Sequence, residues 1–307
     1  MFVGKIQTGF ALDATEGSAT TLTSAHFVNN LESVAPIKLE TEFTSLKSPG
    51  RTGVVKRVKG KSTSTLSEAK LPVAYKEEFP ILRAAGFITS GANALVLGNP
   101  ITSGVNAGRN SFETLTVNQY DGNAKYVLAS AKPASLSIGC KVNEPVYTTF
   151  SLQGVGTYTT NLGFAFSQLP TTAAPNTSLS HTLSVSGINV KFSEMNIDLG
   201  INYMQGDDAT QATGQLAIGE IIAYDPKVSL TIYDEVATIG LFSALQAGTV
   251  FPVSWTFGSG AGNVYTISFL ASVETSELND EDIHTRTKTL CPITNPSNGT
   301  LVTVSVA

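Results

Sequence analysis

The sequence predicts a mainly β protein with short helices, arranged as two similar halves. Three observations predict it. First, apolar residues keep a two-residue period: Val228, Leu230 and Ile232 alternate with Lys227, Ser229 and Thr231, as in a half-buried strand. Second, Phe251, Val253, Trp255 and Phe257 face Tyr265, Ile267, Phe269, Ala271 and Val273 across a Gly-rich turn, which reads as a hairpin. Third, helical spacing occurs in two short stretches. One ends at Ala85-Gly86; the other, with Val236, Ile239, Phe242 and Leu245, follows Asp234 as its cap and ends at Ala247-Gly248.

Taken in order, residues 1–25 are small and polar, rich in Thr and Ala, and read as an arm outside the core. A strand carrying Ile37, Leu39 and Phe43 follows, and Val54, Lys56 and Val58 begin another that runs into the polar stretch 62–65. Pro80 suits a first helical turn and Gly86 a helix end, so a short helix is expected between them. Residues 88–112 are rich in Gly, Asn and Ser, hold no sustained period, and read as a long loop. Tyr120-Asp121-Gly122 signals a turn. Leu136, Ile138, Cys140 and Val142 then alternate, as do Val146, Thr148, Phe150 and Leu152. The Pro-containing stretch 156–181 reads as a linker between a first module, 1–155 with its arm, and a second, 182–307. In the second, Ile188, Val190 and Phe192 alternate, then Met195, Ile197, Leu199, Ile201 and Tyr203, before a polar loop at 202–214. Each half thus runs strands, short helix, strands, the order a duplication leaves.

Composition narrows the function. Of 307 residues only 14% are charged, against roughly 25% in soluble domains, so small polar residues or neighbouring subunits must cover much of the surface. A net charge of -5 argues against a nucleic-acid module held by a basic face, though not against a channel through which nucleic acid slides. The basic cluster Arg51, Lys56, Arg57, Lys59 and Lys61 reads as an edge strand protected by charge. No apolar run reaches the ~18 residues of a membrane span, and the first residues lack the pattern of a signal peptide.

Chemistry-bearing residues are scattered. Cys140 and Cys291 leave room for one bridge at most, and His26, His181 and His284 lack metal-ligand spacing. No G-x-S-x-G elbow is present. Asp207-Asp208 and Asp280-Glu281-Asp282 sit in polar loops rather than facing one another. The chain reads as non-enzymatic, with no catalytic, cofactor or metal residue. The best candidate contact surface is the strand after Ile283. There Thr285, Thr287 and Thr289 alternate with His284, Arg286 and Lys288, beside the acidic Asp280, Glu281 and Asp282. Complementary charge on an edge strand suits contact between subunits.

One segment carries a resemblance. Leu71-Pro-Val-Ala-Tyr-Lys-Glu-Glu-Phe-Pro-Ile-Leu-Arg-Ala-Ala-Gly-Phe87 resembles the helix of the long, two-module major tail tube proteins of tailed bacteriophages. Tyr120-Asp121-Gly122, the strand ending Ile138-Gly-Cys-Lys-Val142 and the run from Pro145 to Gly154 follow in that family's order. In the second half, Ile188, Ile197-Asp-Leu-Gly200 and Thr285-Arg286-Thr287 fit the same layout. Ala85 stands where the family often has Cys. The resemblance implies two tandem β-sandwich or β-roll modules, each with a flanking helix, in a structural virion protein of the tail, assembled in the bacterial host cytoplasm. It implies self-association into stacked rings, either trimers with pseudo-sixfold symmetry or hexamers, forming the conduit for DNA. Partners would be other tail proteins at the tube ends, and the tape measure protein followed by DNA in the lumen, without sequence-specific binding, cofactor or membrane. A receptor- or carbohydrate-binding tail module, a β-rich hydrolase and a capsid decoration protein remain the alternatives.

Overall fold

The computed structural model describes residues 7–14, 19–23, 26–28, 33–47, 54–74, 76–98, 113–120, 124–160, 181–206, 219–233, 235, 238, 243, 247–279 and 285–307. Mainly β, it forms one large curled antiparallel sheet with few helical residues. The first strands are β1 (Gln7–Leu12), β2 (Phe27–Val28), β3 (Ser33–Val34), β4 (Ile37–Lys47) and β5 (Val54–Pro72). After helix α1 (Phe79–Ala84) come β6 (Ile88–Thr89), β7 (Ala94–Leu97), β8 (Leu115–Tyr120), β9 (Ala124–Lys141) and β10 (Tyr147–Thr160). Then follow β11 (Thr182–Val185), β12 (Ile188–Val190), β13 (Phe192–Asp198), β14 (Ile201–Met204), β15 (Glu220–Tyr224) and β16 (Lys227–Tyr233). Last are β17 (Phe251–Phe257), β18 (Tyr265–Asn279), β19 (Thr285–Ile293) and β20 (Val302–Val306).

Across the sheet the order is β4, β5, β10, β9, β13, β16, β19, β18, β17, β11, β12, while β14 and β15 form a separate ribbon. Two long strands make this continuity by changing partners along one edge. β9 pairs with β8 up to Ala131 and with β13 from Ser137 to Lys141. Pro133 lies in the interval, where it has no N–H to offer a ladder. β18 likewise pairs with β20 up to Phe269 and with β19 from Leu270 onward. The sheet therefore joins strands from both sides of the expected 156–181 linker, and β20 returns to pair with β7. Gly156 to Thr160 continue β10; residues 161–180 lie outside the described set.

Alternation becomes burial as expected. In β17 the side chains of Phe251, Val253, Trp255 and Phe257 are buried, and in β16 those of Val228, Leu230 and Ile232. Together with Leu136, Ile138, Phe150, Met195, Ile267 and Val304 they belong to one contiguous core. Each such side chain contributes ~1.5–3 kcal/mol of transfer free energy.

α1 forms where predicted, with Pro80 in its first turn and Ile81, Leu82 and Ala84 buried. It stops at Gly86, whose φ of 103° suits a residue without Cβ, and a Cβ there would strike the Tyr224 hydroxyl. That hydroxyl donates to the Ala85 carbonyl at 2.7 Å. Arg83 is held by both carboxylate oxygens of Glu113. Of the second expected helix, Thr238 and Ser243 have helical backbone and Gly248 has φ 79°, while Asp234, Val236, Ile239, Phe242 and Leu245 lie outside the described residues.

Two segments differ from the sequence reading. The supposed arm contains β1, paired to β8 and β2, with Thr8, Phe10 and Ala11 buried and Phe10 edge-on to Phe150 at 5.6 Å. Its small polar composition hides a strand covered on both faces. The supposed loop 88–112 begins with the β6–β7 hairpin, and β7 pairs with β20. Ala94-Leu95-Val96-Leu97 is apolar in both phases, so no alternation announces it. Residues 99–112 lie outside the described set.

Candidate assembly surfaces

β5 is one strand with two kinds of neighbour. From Ser64 to Pro72 it lies against β10, and it ends that pairing at Ser64 and Gly154. Beyond Ser64, toward Val54, it pairs with β4 alone. The two strands leave the sheet there as a ribbon; among the described residues neither of its outer edges is paired. Near this point a Cβ at Gly156 would strike the Leu39 and Ser64 side chains, so a glycine lets them pack this close to β10.

The ribbon's surface is mixed. Leu39 is 41% and Phe43 56% exposed, and Thr41 and Ser62 share a hydroxyl hydrogen bond at 3.0 Å. Arg57 and Lys59 are exposed, so these two members of the basic cluster do border an unpaired edge; Arg51 lies outside the described residues. Two residues from Gly156, Tyr158 is 51% exposed and leans on Tyr126 at 5.2 Å between ring centroids. Leu39, Phe43 and Tyr158 are large, exposed side chains on strands that have an unpaired edge among the described residues, the arrangement that invites pairing with another chain.

The charged strand is not an edge. From Thr285 to Leu290 β19 lies between β16 and β18 and is paired on both sides, so this part of its backbone has no ladder to offer a partner. Its faces are also reversed. Lys288 shares a phase with Leu290 and Pro292, is 3% exposed, and directs its ammonium to the Ser276 hydroxyl. The aliphatic stem of a lysine tolerates such a place when the nitrogen finds an oxygen. Arg286, two residues earlier on the same phase, is half-buried. Asp280, Glu281, Asp282 and His284 lie outside the described residues.

Chemistry-bearing groups elsewhere are locked in packing. The Trp255 indole N–H donates to His181 Nδ1 at 3.2 Å, and Phe257 stacks on the imidazole. The Cys140 thiol approaches the same nitrogen at 3.6 Å. Burial, aided by Glu194 and Glu144, pushes this thiol up to about 12, so it stays protonated and is a poor nucleophile. Cys140 and Cys291 are both free. Among the described residues no three His, Cys, Asp or Glu side chains gather to hold a metal, and no helix is long and apolar enough to cross a membrane.

Comparison with protein-family models and with curated proteins yields no match to this chain.

Proposed function

We propose that this chain is a structural virion protein, a major tail tube subunit that assembles into stacked rings and forms the conduit for DNA delivery. The observation that carries the reading is the β4–β5 ribbon, whose two outer edges are unpaired among the described residues, with exposed Leu39 and Phe43. A two-stranded ribbon without a third strand is marginal in water, and a neighbouring copy supplies what it lacks. The resemblance of residues 71–87 to the tail tube helix points the same way, as does the low charge content. Edges satisfied between copies close a ring as they close a barrel. Two modules per chain make that ring a trimer with pseudo-sixfold symmetry; one module-equivalent per chain makes it a hexamer. Other tail proteins bind the tube ends, and the tape measure protein and then DNA occupy the lumen. A net negative chain lets phosphates pass without retention.

The test is negative-stain microscopy and sedimentation of the purified chain across a concentration series. Rings or tubes are expected at high concentration, and ring mass separates trimer from hexamer. A chain that stays monomeric throughout, or that binds glycans as a monomer, overturns the reading.

A further inference from the structure

Glu78 stands immediately before α1 and is turned into the protein. Its side chain is 1% exposed, it makes no side-chain cap to the helix, and neither carboxyl oxygen meets a hydrogen-bond partner. Facing it is Tyr265, the first residue of β18, stacked flat on Phe257 at 5.4 Å. The Tyr265 hydroxyl accepts the Lys76 backbone N–H at 2.5 Å. Having accepted one bond, it retains a proton whose nearest acidic neighbour is the Glu78 carboxyl. This phenol therefore ties the turn before α1 to a strand from the other side of the molecule. Among the described residues, the other ionisable groups nearby give the carboxyl no cation. Glu77 is acidic and has one buried oxygen without a partner, the Lys76 ammonium is bound to Asn93 at 2.6 Å, and Arg83 is engaged by Glu113.

We propose that Glu78 is a proton-linked latch, held neutral in the folded chain, and that loss of its proton loosens the joint between α1 and β18. A carboxylate buried this deeply with no cation beside it is strongly disfavoured. Burial pushes this carboxyl up to about 8; hydrogen bonding to backbone and to the Tyr265 hydroxyl opposes it without cancelling it, and the Glu77 carboxylate adds to the upward push. The sign follows. Below the unfolded value of 4.5 both states carry the proton. Between that and about 8 only the unfolded chain releases it, so stability falls as pH rises. Above about 8 the folded chain ionises in place, the loss levels off, and the joint opens locally. The latch does not depend on the tube reading.

Thermal unfolding of the full chain across this range tests it. The wild-type Tm is expected to drop by several degrees from mildly acidic to mildly alkaline pH. Glu78→Gln is expected to show a much shallower drop and to melt above wild type at the alkaline end. Parallel curves for the two proteins overturn the proposal. If Glu78→Gln fails to fold, the infrared spectrum of the wild-type chain decides. A protonated-carboxyl band at neutral pH that disappears at alkaline pH, together with faster amide exchange in α1 and the start of β18, supports the latch; no such band at neutral pH overturns it.

Discussion

The inner and outer parts of β5 share one backbone course and differ in everything that stabilises it. Between Ser64 and Pro72 the strand has β10 on one side and β4 or β3 on the other, and Leu66, Ala69 and Leu71 are fully buried. Between Val54 and Thr63 it has β4 alone; Arg57 and Lys59 are exposed and Lys61, Ser62 and Thr63 half-buried. The extended conformation is the same in both, so conformation is not what fixes the outer part in place. A second neighbour and a covered face do that for the inner part; among the described residues the outer part has no second strand beside it.

Substitutions along this strand and at Gly156 separate the two regimes. The largest effect is expected inside: Leu71→Ala empties a fully buried site and is expected to cost about 2–5 kcal/mol, read as a lower denaturation midpoint at unchanged slope. At the fork, Gly156→Val drives a branched side chain into Leu39 and Ser64 and is expected to cost about 1–3 kcal/mol. If the ribbon were free to swing away, Gly156→Val would be silent, and thermal melting distinguishes the two. The smallest effect on the monomer is expected outside: Phe43→Ser is expected to change stability by less than about 0.5 kcal/mol while weakening self-association in sedimentation experiments. A large loss of monomer stability in Phe43→Ser would mean that the ribbon is supported within its own chain.

Sequence reading succeeds where one face of a strand is buried and the other is wet. β16 and β17 show it in full, because burial on one side forces a two-residue period that a reader can count. α1 is equally legible, since Pro80 and Gly86 each answer a backbone demand at a helix end. β1 and β7 are missed for the opposite reason. Phe10 and Ala11 are covered together, as are Leu95 and Leu97 beside half-buried Ala94 and Val96, and strands without a polar phase leave no period. β19 fails differently. Its alternation announces a strand but says nothing about how many neighbours it has, and Lys288 occupies the core-facing phase through contacts made by residues distant in sequence. The candidate surface is half legible. Leu39 and Phe43 read as strand residues, but their exposure and the close packing of Leu39 and Ser64 on Gly156 depend on contacts among β4, β5 and β10 that no local pattern encodes.

The pairing of β7 with β20 has a temporal side. During synthesis β7 leaves the ribosome long before β20 exists, and for that interval Ala94–Leu97 has only the two-residue β6 beside it. A nascent chain would therefore carry an open apolar rim through most of its translation. Closure comes late and from within the same polypeptide, which makes premature association at this rim the hazard that chaperones or slow initiation would have to control.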